Sequence, residues 1–129
     1  REVIPPAPAP GERLPRSVRI RRTQEIRALL QRGKRKRTPT VDVFFAPSPV
    51  SRSRLGLIVG KLGHDIVERN RVKRRLREIG RRRVLPGLDG AGCFADVLIR
   101  ARHPAYGAGF EELARDVGEA VEALCSEAS

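Results

Sequence analysis

Tryptophan and methionine are absent, tyrosine occurs once and phenylalanine four times in 129 residues. Base stacking on an aromatic platform can therefore engage only a few of Phe44, Phe45, Phe94, Tyr106 and Phe110, and most of these are expected in the core. The only cysteines are Cys93 and Cys125. With no CxxC and no histidine at ligand spacing, neither a zinc site nor a disulfide framework is indicated, and a reducing, cytoplasmic location is expected. No apolar run approaches the roughly 18 residues of a membrane helix, no signal peptide is visible, and no membrane partner is expected. A Gly-rich phosphate loop of the Walker or dinucleotide type is also missing.

Acids are scarce where bases crowd. Residues 1–83 hold 24 Lys/Arg against 7 Asp/Glu, whereas residues 84–129 hold 3 against 8, so a segment of charge +17 precedes one of −5 in a chain of net charge +12. That asymmetry gives one surface to a polyanion and leaves the C-terminal segment packed and solvated on the far side. Arginine supplies 23 of the 27 cations, and its planar fork suits bidentate phosphate contact.

The densest stretch is 65–83, DIVERNRVKRRLREIGRRR. Asp65 followed three places later by Glu68 is a capping-box pattern that opens a helix. Val72, Leu76 and Ile79 then recur at i, i+4 and i+7, a narrow apolar stripe for a core. The remainder is cationic: Arg69, Arg71, Lys73, Arg74, Arg75, Arg77, Arg81, Arg82 and Arg83 against Glu68 and Glu78. Arg69/Lys73, Arg71/Arg75 and Lys73/Arg77 are like charges at i, i+4, each costing roughly 0.2–0.5 kcal/mol in an isolated helix. Arg69 and Arg71 also lie near the positive end of the helix dipole. Stability does not select such a face. Nucleic acid is the expected partner, ahead of an anionic membrane, an acidic protein or an inert solvated face, which usually mixes signs.

The chain in order predicts a proline-rich disordered leader at 1–15, a single RNA-binding domain at 16–125 and a tail at 126–129. In RSVRIRR, Val18 and Ile20 alternate toward the domain with arginines outward. Thr23 is read as the N-cap of a first helix carrying Ile26, Leu29 and Leu30, which Gly33 stops. Lys34 to Arg37 form a basic turn or edge strand. Residues 41–46 read as a strand with Val41, Val43 and Phe45 on one face and Asp42 and Phe44 on the other. Residues 54–60, continuously apolar, read as a central strand, the PGLDGAGC stretch as a loop, 96–101 as another strand, and Phe110 to Leu124 as a closing amphipathic helix with an acidic outer face. The fold class is α+β, an α/β sandwich of one small mixed sheet covered by helices in the order α-β-β-β-α-β-α.

No catalytic constellation is visible. His64 and His103 have no obvious carboxylate or cysteine partner nearby and are read as structural or solvated. Asp42, Asp65 and Asp96 are weighed as a metal set, but Asp65 is better explained as a cap. Arg100 and Arg102, alternating with Leu98 and Ala101, are candidates for the nucleic-acid face.

Arg69-Asn70-Arg71 followed by Val72-Lys73-Arg74, preceded by the strand LGLIVGK and followed by DVLIRARHPA and FEELARDVGEAVEAL, resembles the bacterial ribonuclease P protein subunit from about Val18 to Cys125. The resemblance implies a left-handed βαβ crossover, an exception to the usual hand. It also implies an assembly in which a catalytic RNA performs Mg²⁺-dependent hydrolysis of precursor tRNA to give the mature 5′ end, with this chain as an auxiliary subunit that binds no cofactor alone and no DNA. Its implied RNA contacts are Arg69, Asn70, Arg71, Lys73, Arg74, Arg75 and Arg77, with Lys61 and Arg102. A cleft formed by Ile26, Leu30, Val43 and Phe44 is implied to hold the 5′ leader.

The chain departs from the family pattern at Ile26 and Leu30, where aromatics are usual, at Leu62 in place of a second lysine, and at Asp65 in place of asparagine. Competing readings are a ribosomal or general RNA-binding protein of similar fold and a protein-only nuclease with its own metal site.

Overall fold

The strand built from Val41, Val43 and Phe45 is central to the sheet rather than peripheral to it, and its neighbours explain why its alternation is so regular. The computed structural model describes residues 16–61 and 63–128; the proline-rich stretch 1–15 and Leu62 lie outside the described residues. A 3-10 turn at Arg16–Val18 leads to α1 (Thr23–Arg32), β1 (Lys34–Arg37), β2 (Val41–Pro47), β3 (Arg54–Ile58) and α2 (Ile66–Ile79). A π-helical turn at Gly80–Val84, α3 (Leu85–Gly90), β4 (Ala95–Ala101), a 3-10 turn at His103–Gly107 and α4 (Phe110–Ala128) complete the chain. The sheet runs β1-β2-β4-β3, with β1/β2 and β2/β4 antiparallel and β3/β4 parallel. The expected α+β architecture with one small mixed sheet is thus present, and α2 with α3 forms the crossover between parallel neighbours.

Alternation along β2 divides the molecule into two cores. Val41, Val43 and Phe45 face α2 and α4 in one large cluster with Val72, Leu76, Ile79, Val97, Ile99 and Leu113. Phe44 points the other way, into a smaller cluster with Ile20, Leu29 and Leu98 beneath α1. Two buried carboxylates are matched to donors: Asp116 accepts from the Thr40 hydroxyl at 2.6 Å, tying α4 to β2, and Asp96 takes Arg54 in a fork of 2.9 and 2.7 Å. Arg54 also reaches Glu25 at 2.9 Å, which fastens α1 to the sheet and raises the guanidinium pKa, chiefly through Asp96.

Three local readings are corrected. Thr23 is the first helical residue and Arg22 the N-cap, with no side-chain capping bond, whereas Gly33 ends α1 by donating its N–H to the Leu29 carbonyl as expected. The run 54–60 is an edge strand, not a central one: its outer side is covered by the segment before α1, through an Arg19/Leu55 bridge and a 2.9 Å bond from the Ile20 N–H to the Leu55 carbonyl. Covered on both faces and along its free edge, β3 reads as continuously apolar. Finally, the PGLDGAGC loop is largely helical. Pro86 falls in the first turn of α3, directly after the π turn, and Leu85 and Leu88 are buried.

Candidate nucleic-acid interface

The capping box forms as expected: the Glu68 N–H donates to Asp65 Oδ1 at 2.8 Å, and the Asp65 N–H donates to Glu68 Oε1 at 3.1 Å. Gly63, at φ +83°, supplies the left-handed turn before it. Val72, Leu76 and Ile79 are essentially inaccessible, 0, 0 and 1 % exposed, and this fixes the rotation of α2 about its axis. At about 100° per residue, positions 73, 77, 70, 74 and 71 then share an outward arc of roughly 160°.

The cations of this stretch divide into two sets by what they touch. Arg69 donates to the Val59 carbonyl at 3.3 Å, and its Nε is buried without a partner. Arg75 donates to the Ala108 carbonyl at 2.6 Å and braces the entry to α4. Glu78 holds the buried Arg81 at 2.7 Å and the exposed Arg82 at 3.6 Å, and Arg83 meets Glu111 at 3.5 Å. On a straight helix Arg81 would face away from the core, about 900° beyond Val72; it is nevertheless buried in the π-helical turn, paired with Glu78 three residues back. By contrast, Arg71, Lys73, Arg74 and Arg77 have no ion pair among the described residues, and Asn70, Arg71 and Arg74 are exposed. The unneutralised charge is therefore concentrated on the arc that the apolar stripe turns outward.

This face extends beyond α2. Lys73 and Arg77 border a pocket of about 220 Å³ whose other walls, among the described residues, are Arg19, Ile20, Arg21, Leu55, Gly56 and Leu57, none of them acidic. Val18 and Ile20 pack inward as expected, which places Arg19 and Arg21 beside α2. Sequence reasoning did not select these two as contacts. The outward phase of RSVRIRR was visible, but its docking against β3 was not.

On the opposite face of the sheet, Phe44 is buried with Arg100 above it, the guanidinium carbon 5.0 Å from the ring centroid. Arg100 also donates to Asp42 at 3.1 Å, and Arg37 does so at 3.2 Å. Ile26, Leu30 and Ile58 lie half-buried and pack against this cluster, where α1 meets the sheet. Val43 is not part of it; as the neighbour of Phe44 in a strand it points to the other face and is fully buried there. Arg102 donates to the Thr38 and Pro39 carbonyls at 2.5 and 3.4 Å, which holds it to the β1–β2 turn, and Lys61 is exposed before α2.

The two histidines do have partners. His64 Nε2 lies 3.2 Å from His103 Nδ1, its Nδ1 lies 3.3 Å from Glu68 Oε1, and its ring stacks on Tyr106 with centroids 4.0 Å apart. The Tyr106 hydroxyl donates to the Gly60 carbonyl. Burial raises the tyrosine pKa, and the nearby Arg69 charge partly opposes this. Glu68 was in view four residues after His64; the pairing with His103 depends on the fold. Together they clamp the entry to α2. The three aspartates weighed as a metal set are each otherwise engaged, Asp42 by two arginines, Asp65 by the cap and Asp96 by Arg54. Among the described residues no group of three or more His, Cys, Asp or Glu side chains is placed to hold a metal.

The sequence and the fold both resemble known proteins. The family model described as Ribonuclease P matches residues 14–125. The ribonuclease P protein component of Kocuria rhizophila is 36% identical over 108 residues, covering 84% of this chain and 92% of that protein. That of Corynebacterium diphtheriae is 31% identical over 118 residues, covering 86% and 96%. Among solved structures, a Staphylococcus aureus RNase P protein mutant with defective mRNA degradation activity superposes with a TM-score of 0.69 at 19% identity, covering 82% of this chain and 86% of that one. The RNase P protein from Thermotoga maritima gives 0.66 at 23% identity, covering 78% and 92%.

Proposed function

The chain belongs to the ribonuclease P protein family, the protein component of a ribonucleoprotein endoribonuclease of tRNA processing whose partner is the ribonuclease P RNA; on that premise we propose which surfaces meet the two RNAs. The outer arc of α2, Asn70, Arg71, Lys73, Arg74 and Arg77, together with Arg19 and Arg21, lies against the phosphates of the catalytic RNA. Arg69 and Arg75 act one step back, holding the helix in place. The cleft of Ile26, Leu30 and Ile58, with Arg100 over Phe44, takes the single-stranded 5′ leader of precursor tRNA. Lys61 and Arg102 flank the route between them. The observation that carries this reading is the selective absence of counter-charge among the described residues: the carboxylates near α2 neutralise Arg81, Arg82 and Arg83 and leave Arg71, Lys73, Arg74 and Arg77 without an ion pair.

The division of labour follows from what the side chains are free to do. Charge-assisted N–H to phosphate bonds position an RNA but do not hydrolyse it. The three aspartates are occupied by arginines or by a helix cap, a poor fit to Mg²⁺, so the Mg²⁺-dependent chemistry is assigned to the RNA subunit. The cleft differs from an aromatic platform. Phe44 presents its ring to Arg100 and not to solvent, so leader bases meet aliphatic edges and one guanidinium plane.

With reconstituted holoenzyme, precursor tRNA carrying several leader nucleotides should bind about 10-fold more tightly than one carrying a single nucleotide, the yield of one charge-assisted contact with some apolar contact. Arg100→Gln should erase most of that difference, since Asp42 keeps Arg37 as its partner. Equal affinity for long and short leaders in the parent would remove the leader from this cleft while leaving the RNA face of α2 untouched.

A further inference from the structure

The only two cysteines in the chain, 32 residues apart in sequence, meet in the fold with their sulfurs 2.9 Å apart. Neither takes part in the cationic arc or the cleft. The simplest account of a half-buried cysteine is a small apolar filler, yet that account gives no reason for two of two to be neighbours. Both are also held by rigid surroundings. Cys93 follows Gly92, whose φ of +72° closes the turn before β4. The Cys93 N–H donates to the Leu88 carbonyl at 2.9 Å, and its carbonyl accepts from the Ser53 hydroxyl at 3.4 Å. Ser53 is itself fully buried and donates its N–H to Asp89 at 2.9 Å. Cys125 stands near the end of α4 beside the buried Leu124. A covalent bond needs the sulfurs to close to about 2.05 Å, a small side-chain adjustment from this separation.

We propose that Cys93 and Cys125 are an oxidisable dithiol, a modification site whose reactant is a low-molecular-weight disulfide of the glutathione class. Access runs through a cavity of about 410 Å³ between α3 and α4, lined by Ile79, Leu88, Ala114, Val121 and Cys125 among others. The Cys125 thiolate attacks one sulfur of the small disulfide, whose S–S bond breaks, and one small thiol leaves with a proton. Cys93 then gives up its proton and attacks the Cys125 sulfur of the mixed disulfide, releasing the second small thiol. Two protein thiols are oxidised and one small disulfide is reduced, with no other reactant. The Cys93 thiol, pushed up to about 11 by the hydrogen bond it shares with Cys125, then by burial and by the charge on Cys125, waits protonated as the resolving sulfur. The bond ties the turn before β4 to the end of α4 and leaves the outward arc of α2 unchanged.

The test treats the full chain with excess oxidised glutathione and follows it by mass spectrometry and thermal unfolding. The parent should lose the mass of two hydrogens, keep no adduct and unfold roughly 10 °C higher, reversibly on adding dithiothreitol, as expected for closing a loop of this length. Cys93→Ser should instead hold a stable glutathione adduct on Cys125, with unchanged affinity for ribonuclease P RNA. A parent that keeps an adduct, or keeps both thiols while the Cys93→Ser variant also stays unmodified, overturns the proposal.

Discussion

Leu76→Ala should cost about 2–5 kcal/mol of stability, the range for emptying a well-packed core site. Leu76 is completely buried at the centre of the stripe, in the cluster that joins α2 to the sheet and to α4. Nearby packing is close: a Cβ on Gly80 would run into the side chain of Leu55. Little relaxation is therefore available to fill the space, and the upper half of the range is expected. In a domain of this size the midpoint of thermal unfolding should fall by roughly 10–25 °C. Below that midpoint the variant should bind ribonuclease P RNA as the parent does, because the outward arc keeps its side chains. A stability loss under about 1 kcal/mol, measured by urea denaturation, would mean that α2 is not anchored through this stripe.

The converse substitution removes charge and spares the core. Asn70→Ala, Arg71→Gln and Arg74→Gln combined should lower affinity for ribonuclease P RNA on the order of 100-fold, two charge-assisted bonds at about 1.5 kcal/mol each. Folding should be unharmed. All three side chains are exposed and, among the described residues, make no ion pair; Gln and Ala are good helix formers, and the Arg71/Arg75 repulsion disappears. Stability should stay within about 0.5 kcal/mol of the parent. The slope of log affinity against log salt should also become shallower by about 1–2, because each phosphate that no longer meets an arginine keeps its counterions. Parent-like binding with parent-like salt dependence would show that these residues are solvated and idle.

How far the sequence reached is clearest in α2. Its start, inner stripe and outward charge all follow from spacing within one helix, and each is found where spacing puts it. Separating working from bracing cations was only half legible. The helical phase of Arg69 and Arg75 already sets them beside the stripe, whereas Arg81, outward by phase, is buried in a π turn that no periodicity announces. The cleft divides in the same way. Strand alternation alone separates Val43 from Phe44, and assigning both to one cleft overlooks that rule. Arg100 over Phe44 requires β2 and β4 to pair in their actual register. Strand order was the least accessible feature. The apolar run of β3 implied cover on all sides, but not that a short segment before α1 supplies it at an edge. The Cys93/Cys125 pair and the His64/His103 clamp depend on the same long-range topology.

RNA bound on the outward arc of α2, and on Arg19 and Arg21 beside it, is tested most directly with an arginine-selective dicarbonyl reagent. The reagent is applied to the free chain and to its complex with ribonuclease P RNA, and modification is read by mass spectrometry. Arg71, Arg74, Arg77 and Arg21 should be protected in the complex, while Arg115 on the exposed face of α4 should react at its free rate. Unchanged modification of Arg71 and Arg74, with protection falling on Arg115 instead, would contradict this placement.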